Sequence, residues 1–130
     1  RGLANSNDTR REAEVVQGAI TSLHDNFVKR AEQTDSIRQL VVASSYPVLA
    51  CGDFNSLPSS YTYAELSDVL KDGFRTSGRG YMYTYRYFKR LLRIDYIFHS
   101  PGIQGYRYYS PDLDLCSDHN PVLMEMKIKK

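Results

Sequence analysis

Leu91-Leu92-Arg93-Ile94-Asp95-Tyr96-Ile97-Phe98-His99 is the stretch on which the fold turns. Its apolar, β-branched and aromatic side chains read as a strand. The turn Ser100-Pro101-Gly102 closes it. A run this apolar belongs to a strand covered on both faces. Asp95 interrupts it. An unpaired buried carboxylate is costly, so Asp95 must meet a partner: Arg93, a tyrosine hydroxyl, a metal, solvent or another polar group.

The same anomaly recurs on either side. Upstream, Val48-Leu49-Ala50-Cys51 is a short apolar run that ends in Gly52-Asp53-Phe54-Asn55-Ser56-Leu57-Pro58-Ser59-Ser60, turn chemistry throughout. Downstream, Tyr106 to Tyr109 reads as a third strand and Pro111 to Leu115 as a loop. Pro121 to Ile128 alternates Val122, Met124, Met126 and Ile128 against Leu123, Glu125 and Lys127, a fourth strand with one polar-leaning face. Ser117-Asp118-His119-Asn120-Pro121 precedes that strand. If these strands are sheet neighbours, Asp53, Asn55, Asp95, Asp118 and His119 converge at one end of the sheet, where phosphate and metal sites are commonly built. Singly, each has an ordinary reading. Asp53-x-Asn55 makes an Asx turn, Asp95 is a satisfied buried acid, and the His119 segment is a turn before a strand.

The first third of the chain predicts a helix. Thr9 and Glu12 have capping-box spacing. Val16, Ile20, Leu23, Phe27, Ala31, Thr34, Ile37 and Val41 then form one apolar stripe among mixed charges. Unbroken from residue 10 to residue 43 it would run about 50 Å. That is long for so small a globule, so it either breaks near residues 33–36 or packs on structure outside this sequence. Pro47 forces it to stop. A shorter helix is expected over 61–70, capped by Ser59 or Ser60. His24 and His99 read as surface and structural residues.

At 130 residues, 42% hydrophobic and 25% charged, the chain has the size and composition of one globular domain. No stretch approaches the ~20 apolar residues of a membrane span. It shows no signal peptide, but it does not begin with methionine, so the compartment stays open and the N-terminus is expected to be truncated. Cys51 and Cys116 have neither disulfide-framework nor zinc spacing and are expected to be buried thiols. The net charge of +2 hides a local excess. Lys71, Arg75, Arg79, Arg86, Lys89, Arg90 and Arg93 stand against Asp72 alone, a stripe suited to an anionic partner or to solvent. Tyr81, Tyr83, Tyr85 and Tyr87 share one face if their segment is extended, as a base-stacking surface or as ordinary packing. Helices, strands and loops in this order give an α/β fold. Three or four strands and one long helix leave a sheet face uncovered, which points to a fragment of a larger fold and to self-association through that face.

Gly52-Asp53-Phe54-Asn55, then Arg93-Ile94-Asp95-Tyr96-Ile97, then Ser117-Asp118-His119-Asn120-Pro121 resembles the C-terminal signature set of the endonuclease/exonuclease/phosphatase (DNase I-like) superfamily. The resemblance implies half of a four-layer α-β-β-α sandwich, a mostly antiparallel or mixed sheet with one long helix. Residues 1–130 would be the C-terminal part of one domain whose N-terminal half is absent. It also implies a phosphoesterase: metal-assisted hydrolysis of a phosphate diester or monoester by activated water. Asp53 would hold and activate the water, and Asn55 would hydrogen-bond to it or to the substrate's phosphoryl oxygen. Asp95 would orient His119 against the scissile phosphate, and Asp118 would face Mg²⁺, or Mn²⁺ in its place. Arg93 is a further substrate-binding candidate. The substrate class stays open among nucleic acid, sugar or inositol phosphate and lipid headgroup. The isolated fragment is expected to be poorly active. The competing reading is a non-catalytic module of the same fold that binds an anionic partner.

Overall fold

The computed structural model describes residues 6–114 and 116–129. The opening five residues, and Leu115 at the end of the expected 111–115 loop, lie outside the described residues. The chain divides into two compact units at Gln33 and Thr34. The first consists of the N-terminal part of helix α1, which runs over Ser6–Ala43. Thr9 and Glu12 therefore fall inside the helix and cap nothing. Within that unit Val16, Ile20, Leu23 and Phe27 are all more than half exposed. His24 is a surface residue beside Asp25, 3.8 Å away.

The second unit carries the core. The α1 residues Ile37 and Val41 pack on it, and the Thr34 hydroxyl meets that of Thr62 at 3.0 Å. Strand β1 (Leu49–Asp53) pairs antiparallel with β3 (Asp95–His99), which pairs antiparallel with the short β2 (Lys71–Asp72), giving the order β1-β3-β2. Helix α2 (Tyr61–Val69) begins at Ser60, whose hydroxyl accepts from the Tyr63 amide, as the turn-rich sequence before it predicts. Tyr63, Leu66, Leu70, Tyr96 and Phe98 form the buried cluster. On β3 the two aromatics alternate with Asp95, Ile97 and His99, so the period of a strand sends Tyr96 and Phe98 into the core and Asp95 to the other face. A short helix α3 (Gly73–Ser77) follows β2, and strands β4 (Ile103–Tyr109) and β5 (Leu123–Ile128) form a separate antiparallel pair.

Several sequence-based expectations need correction. The strand expected over residues 91–99 is regular only from Asp95. The backbone before it is satisfied elsewhere: the Thr84 hydroxyl accepts from the Ile94 and Asp95 amides at 3.0 and 3.1 Å, and the Leu92 carbonyl accepts from Thr84 and Tyr85. The tyrosine segment is not an extended strand. Phe88, Lys89 and Arg90 occupy the left-handed region, Gly80 has φ of 69°, and Tyr81 and Tyr87 stand exposed while Tyr83 and Tyr85 are half-buried. Cys51 and Cys116 are exposed free thiols rather than buried ones. On β1 the alternation that turns Ala50 to the core turns Cys51 away from it. His99, in contrast, is buried. Its Nδ1 donates to the Ser100 carbonyl at 2.8 Å, which leaves Nε2 to accept from the Thr76 hydroxyl at 2.9 Å. Among the described residues no helix is long and apolar enough to cross a membrane.

Candidate active site

Strand register brings the first two acids together. Asp53 closes β1 and Asp95 opens β3, and the two are direct cross-strand partners. Like charges so placed repel, and the loop before β5 supplies what offsets them. Asn120 donates its amide to the Thr84 carbonyl at 2.7 Å, and Arg86 donates its amide to the Asp118 carbonyl at 2.8 Å. These bonds fix residues 118–120 beside the strand ends. His119 then sits with Nδ1 2.7 Å from Asp95 Oδ2, while its Nε2 lies 3.8 Å from Asp53 Oδ2 and 3.9 Å from Asp118 Oδ1. A carboxylate accepts, so Nδ1 carries the proton and Nε2 faces the two other acids. The Tyr85 ring meets the imidazole edge-on, with centroids 5.4 Å apart.

Burial works against a charge on His119, but the hydrogen bond it donates to Asp95 and the fields of Asp95, Asp53 and Asp118 outweigh it and raise the pKa above the ordinary imidazole value. A raised folded pKa stabilises the fold fully below the unfolded pKa, and that stability is lost as pH rises through the folded value. Asp95→Asn should therefore lower the His119 pKa. An NMR titration of its ring protons in the metal-free chain measures this, and an unchanged midpoint would deny Asp95 that role.

Asp53 makes the Asx turn and also faces the imidazole. Asp53 Oδ1 accepts the Asn55 amide at 2.8 Å, an Asx turn with Asn55 at φ 45°, and the other oxygen, Oδ2, faces His119. Asn55 itself is exposed on this loop, and Asp118 is exposed beside Nε2. Arg93 is held elsewhere. Its guanidinium is buried, donates to Asp72 Oδ2 at 2.8 Å, and lies 4.8 Å over the rings of both Phe74 and Tyr96. That placement makes it a core anchor, where the sequence suggested a substrate contact. Others in the basic stripe are also engaged: Arg86 pairs with Asp112 and Asp114, and Arg90 with Asp112. Tyr83 donates to Asp112 at 2.8 Å. Thr84 escaped the sequence reading, because nothing local distinguishes it from its tyrosine-rich surroundings, and Tyr85 entered it as a stacking or packing residue rather than as a neighbour of His119.

Asp53, Asp95 and His119 present one ligand atom each within 4.8 Å of one another. Adjoining them is a cleft of about 300 Å³ lined by Cys51, Gly52, Asp53, Asp95, Tyr96, Ile97, Asn120, Pro121 and Val122.

Residues 10–119 match the Endonuclease/Exonuclease/phosphatase family. The chain belongs to that family. No curated protein matches it in sequence. Three solved structures resemble it in fold. A functionally unknown conserved protein from Enterococcus faecalis V583 has a TM-score of 0.68 at 23% identity, over 77% of this chain and 44% of its own. An endonuclease/exonuclease/phosphatase from Bacteroides vulgatus has 0.65 at 27%, over 77% and 44%. A mannosyl-6-phosphatase from Bacteroides thetaiotaomicron VPI-5482 has 0.60 at 25%, over 76% and 46%. The chain thus spans less than half the length of these relatives. The antiparallel, mixed α/β architecture is that of part of the DNase I-like fold, and the family acts on phosphate esters as hydrolases.

Proposed function

We propose that this chain is the C-terminal, histidine-bearing part of a Mg²⁺-dependent phosphoesterase domain. The observation that carries the reading is the Asp95–His119 pair at 2.7 Å with Asp53 and Asp118 turned to the free face of the same imidazole. The donor set suits a hard cation. Asp53 and Asp118 offer half-exposed carboxylate oxygens, and Mg²⁺ prefers oxygen ligands and keeps several waters. Asp118 would hold the ion, with Mn²⁺ able to replace it. When bound, the ion supplies positive charge against the phosphoryl oxygens.

The chain's own groups do the rest. Asp53 Oδ2 takes the proton of the attacking water. Asn55 donates hydrogen bonds to that water or to a phosphoryl oxygen. Asp95 fixes the imidazole as the Nδ1–H tautomer and favours its cationic form. Nε2 then presents positive charge, or a proton, to the scissile phosphate. A sugar phosphate is the first substrate to try, since one of the similar structures is a mannosyl-6-phosphatase. The binding-module alternative is weakened by Arg86, Arg90 and Arg93, which are already engaged by acids of this chain.

The test is phosphate release from mannose 6-phosphate, and nitrophenol release from a generic aryl diester, with Mg²⁺, Mn²⁺ or chelator. The complete domain should turn over with either ion and stop with chelator, and this chain alone should be weak or inactive. Turnover that is indifferent to chelation would overturn the reading.

A further inference from the structure

Tyr96 joins the two acidic segments from beneath. It follows Asp95 on β3, stands opposite Gly52 in the register, and is 2% exposed. Its hydroxyl lies 2.7 Å from the Ser56 carbonyl, on the loop after Asp53, and 2.8 Å from the Arg93 carbonyl, just before β3. Its ring meets Phe54 edge-on at 5.9 Å, and the Phe54 amide donates to the Ile94 carbonyl at 3.0 Å. Every one of these contacts falls on a segment that carries Asp53 or Asp95.

Packing alone does not call for the hydroxyl. Phe98, two positions on and stacked 5.3 Å from Tyr96, fills the same core without one. A phenol in an apolar core is tolerated when its O–H finds acceptors, and here the acceptors are the backbones of the two segments. Burial, ahead of the opposing pull of Arg93, holds the phenol well above its usual pKa, so it remains a donor.

We infer that Tyr96 is a positioning residue whose hydroxyl, shared between the Ser56 and Arg93 carbonyls, fixes the spacing at which Asp53 and Asp95 both meet His119. Its catalytic consequence rests on the function proposed above, whereas its geometric part can be read without turnover. Tyr96→Phe keeps the ring and removes the bridge.

The His119 Nδ1 proton, hydrogen-bonded to Asp95, should give a far-downfield NMR signal in the chain. Tyr96→Phe should shift or broaden that signal while keeping a cooperative melt. Tyr63→Phe is the control. Tyr63 is buried in the same cluster, but its hydroxyl donates to Asp72, and its loss should leave the signal in place. In the active domain, Tyr96→Phe should lower kcat about tenfold or more with KM little changed, as a small misplacement of reacting groups does. An unmoved Nδ1 signal in Tyr96→Phe, or equal loss in both variants, overturns the inference. If Tyr96→Phe does not fold, the unmodified chain decides: a Tyr96 hydroxyl proton that exchanges slowly supports the bridge, and one lost to rapid exchange refutes it. Absence of turnover in every form speaks against the proposed function and leaves the NMR comparison to judge Tyr96.

Discussion

Replacing His119 with alanine should slow phosphate release by the complete domain at least ~100-fold, and Asp53→Asn should do about the same, the range expected when a group that moves a proton in the transition state is lost. The two effects arise differently. His119→Ala removes the imidazole that meets Asp53 and Asp95 at the paired ends of β1 and β3, and with it the positive charge that offsets the two facing carboxylates. Asp53→Asn keeps the shape of the turn, since an amide oxygen can still accept the Asn55 amide, but it removes the negative oxygen 3.8 Å from Nε2. Steady-state rates with Mg²⁺ present measure both. Near-normal turnover in either variant would strip that residue of its role. The two losses should not add if the groups act on one proton-transfer step.

Asp72→Ala should destabilise this chain by about 3–5 kcal/mol, the cost of leaving one member of a buried ion pair without its partner. Asp72 holds three donors at once: the Arg93 guanidinium at 2.8 Å, the Tyr63 hydroxyl at 2.7 Å and the Phe74 amide at 3.0 Å. It therefore ties β2, α2, α3 and the entry to β3 through one carboxylate. Both side chains of the pair are less than a tenth exposed, so water cannot take over when Asp72 is gone. Urea unfolding followed by circular dichroism is the measurement. Glu125→Ala is the comparison, because its pair with Arg107 is 3.8 Å long and mostly exposed, and it should leave the midpoint nearly unchanged. Equal shifts for the two variants would mean that burial of the Asp72–Arg93 pair does not set its worth.

The parts of this molecule that were readable from the chain are those with a local cause. The Ser60 cap is one, since a side-chain oxygen next to free amides needs no distant partner. The alternation on β5 is another: Met124 and Met126 are half-buried where Glu125 and Lys127 are exposed. Asp95 was conspicuous because a carboxylate inside an apolar run has few tolerable explanations. The Asx turn at Asp53 and the approach of Asp53 to His119 could not be ranked from sequence, and the fold accommodates both with the two oxygens of one carboxylate.

The amino-acid order by itself determined the long N-terminal helix, the Ser60-capped helix and the outlines of β1, β3, β4 and β5, though not β2 or α3, and it marked which polar residues had to be brought out of an apolar setting. Those follow from side-chain period and from the cost of burying charge, both local quantities. Only the folded chain decided which partner each polar group took. Asp95 lies next but one to Arg93, yet it pairs with His119, 24 positions away, and Arg93 turns to Asp72. Tyr96 bonds to a carbonyl 40 positions upstream. Register across β1 and β3 sets those partners, and register is fixed by the joint packing of both sheet faces, which no stretch of neighbouring residues contains.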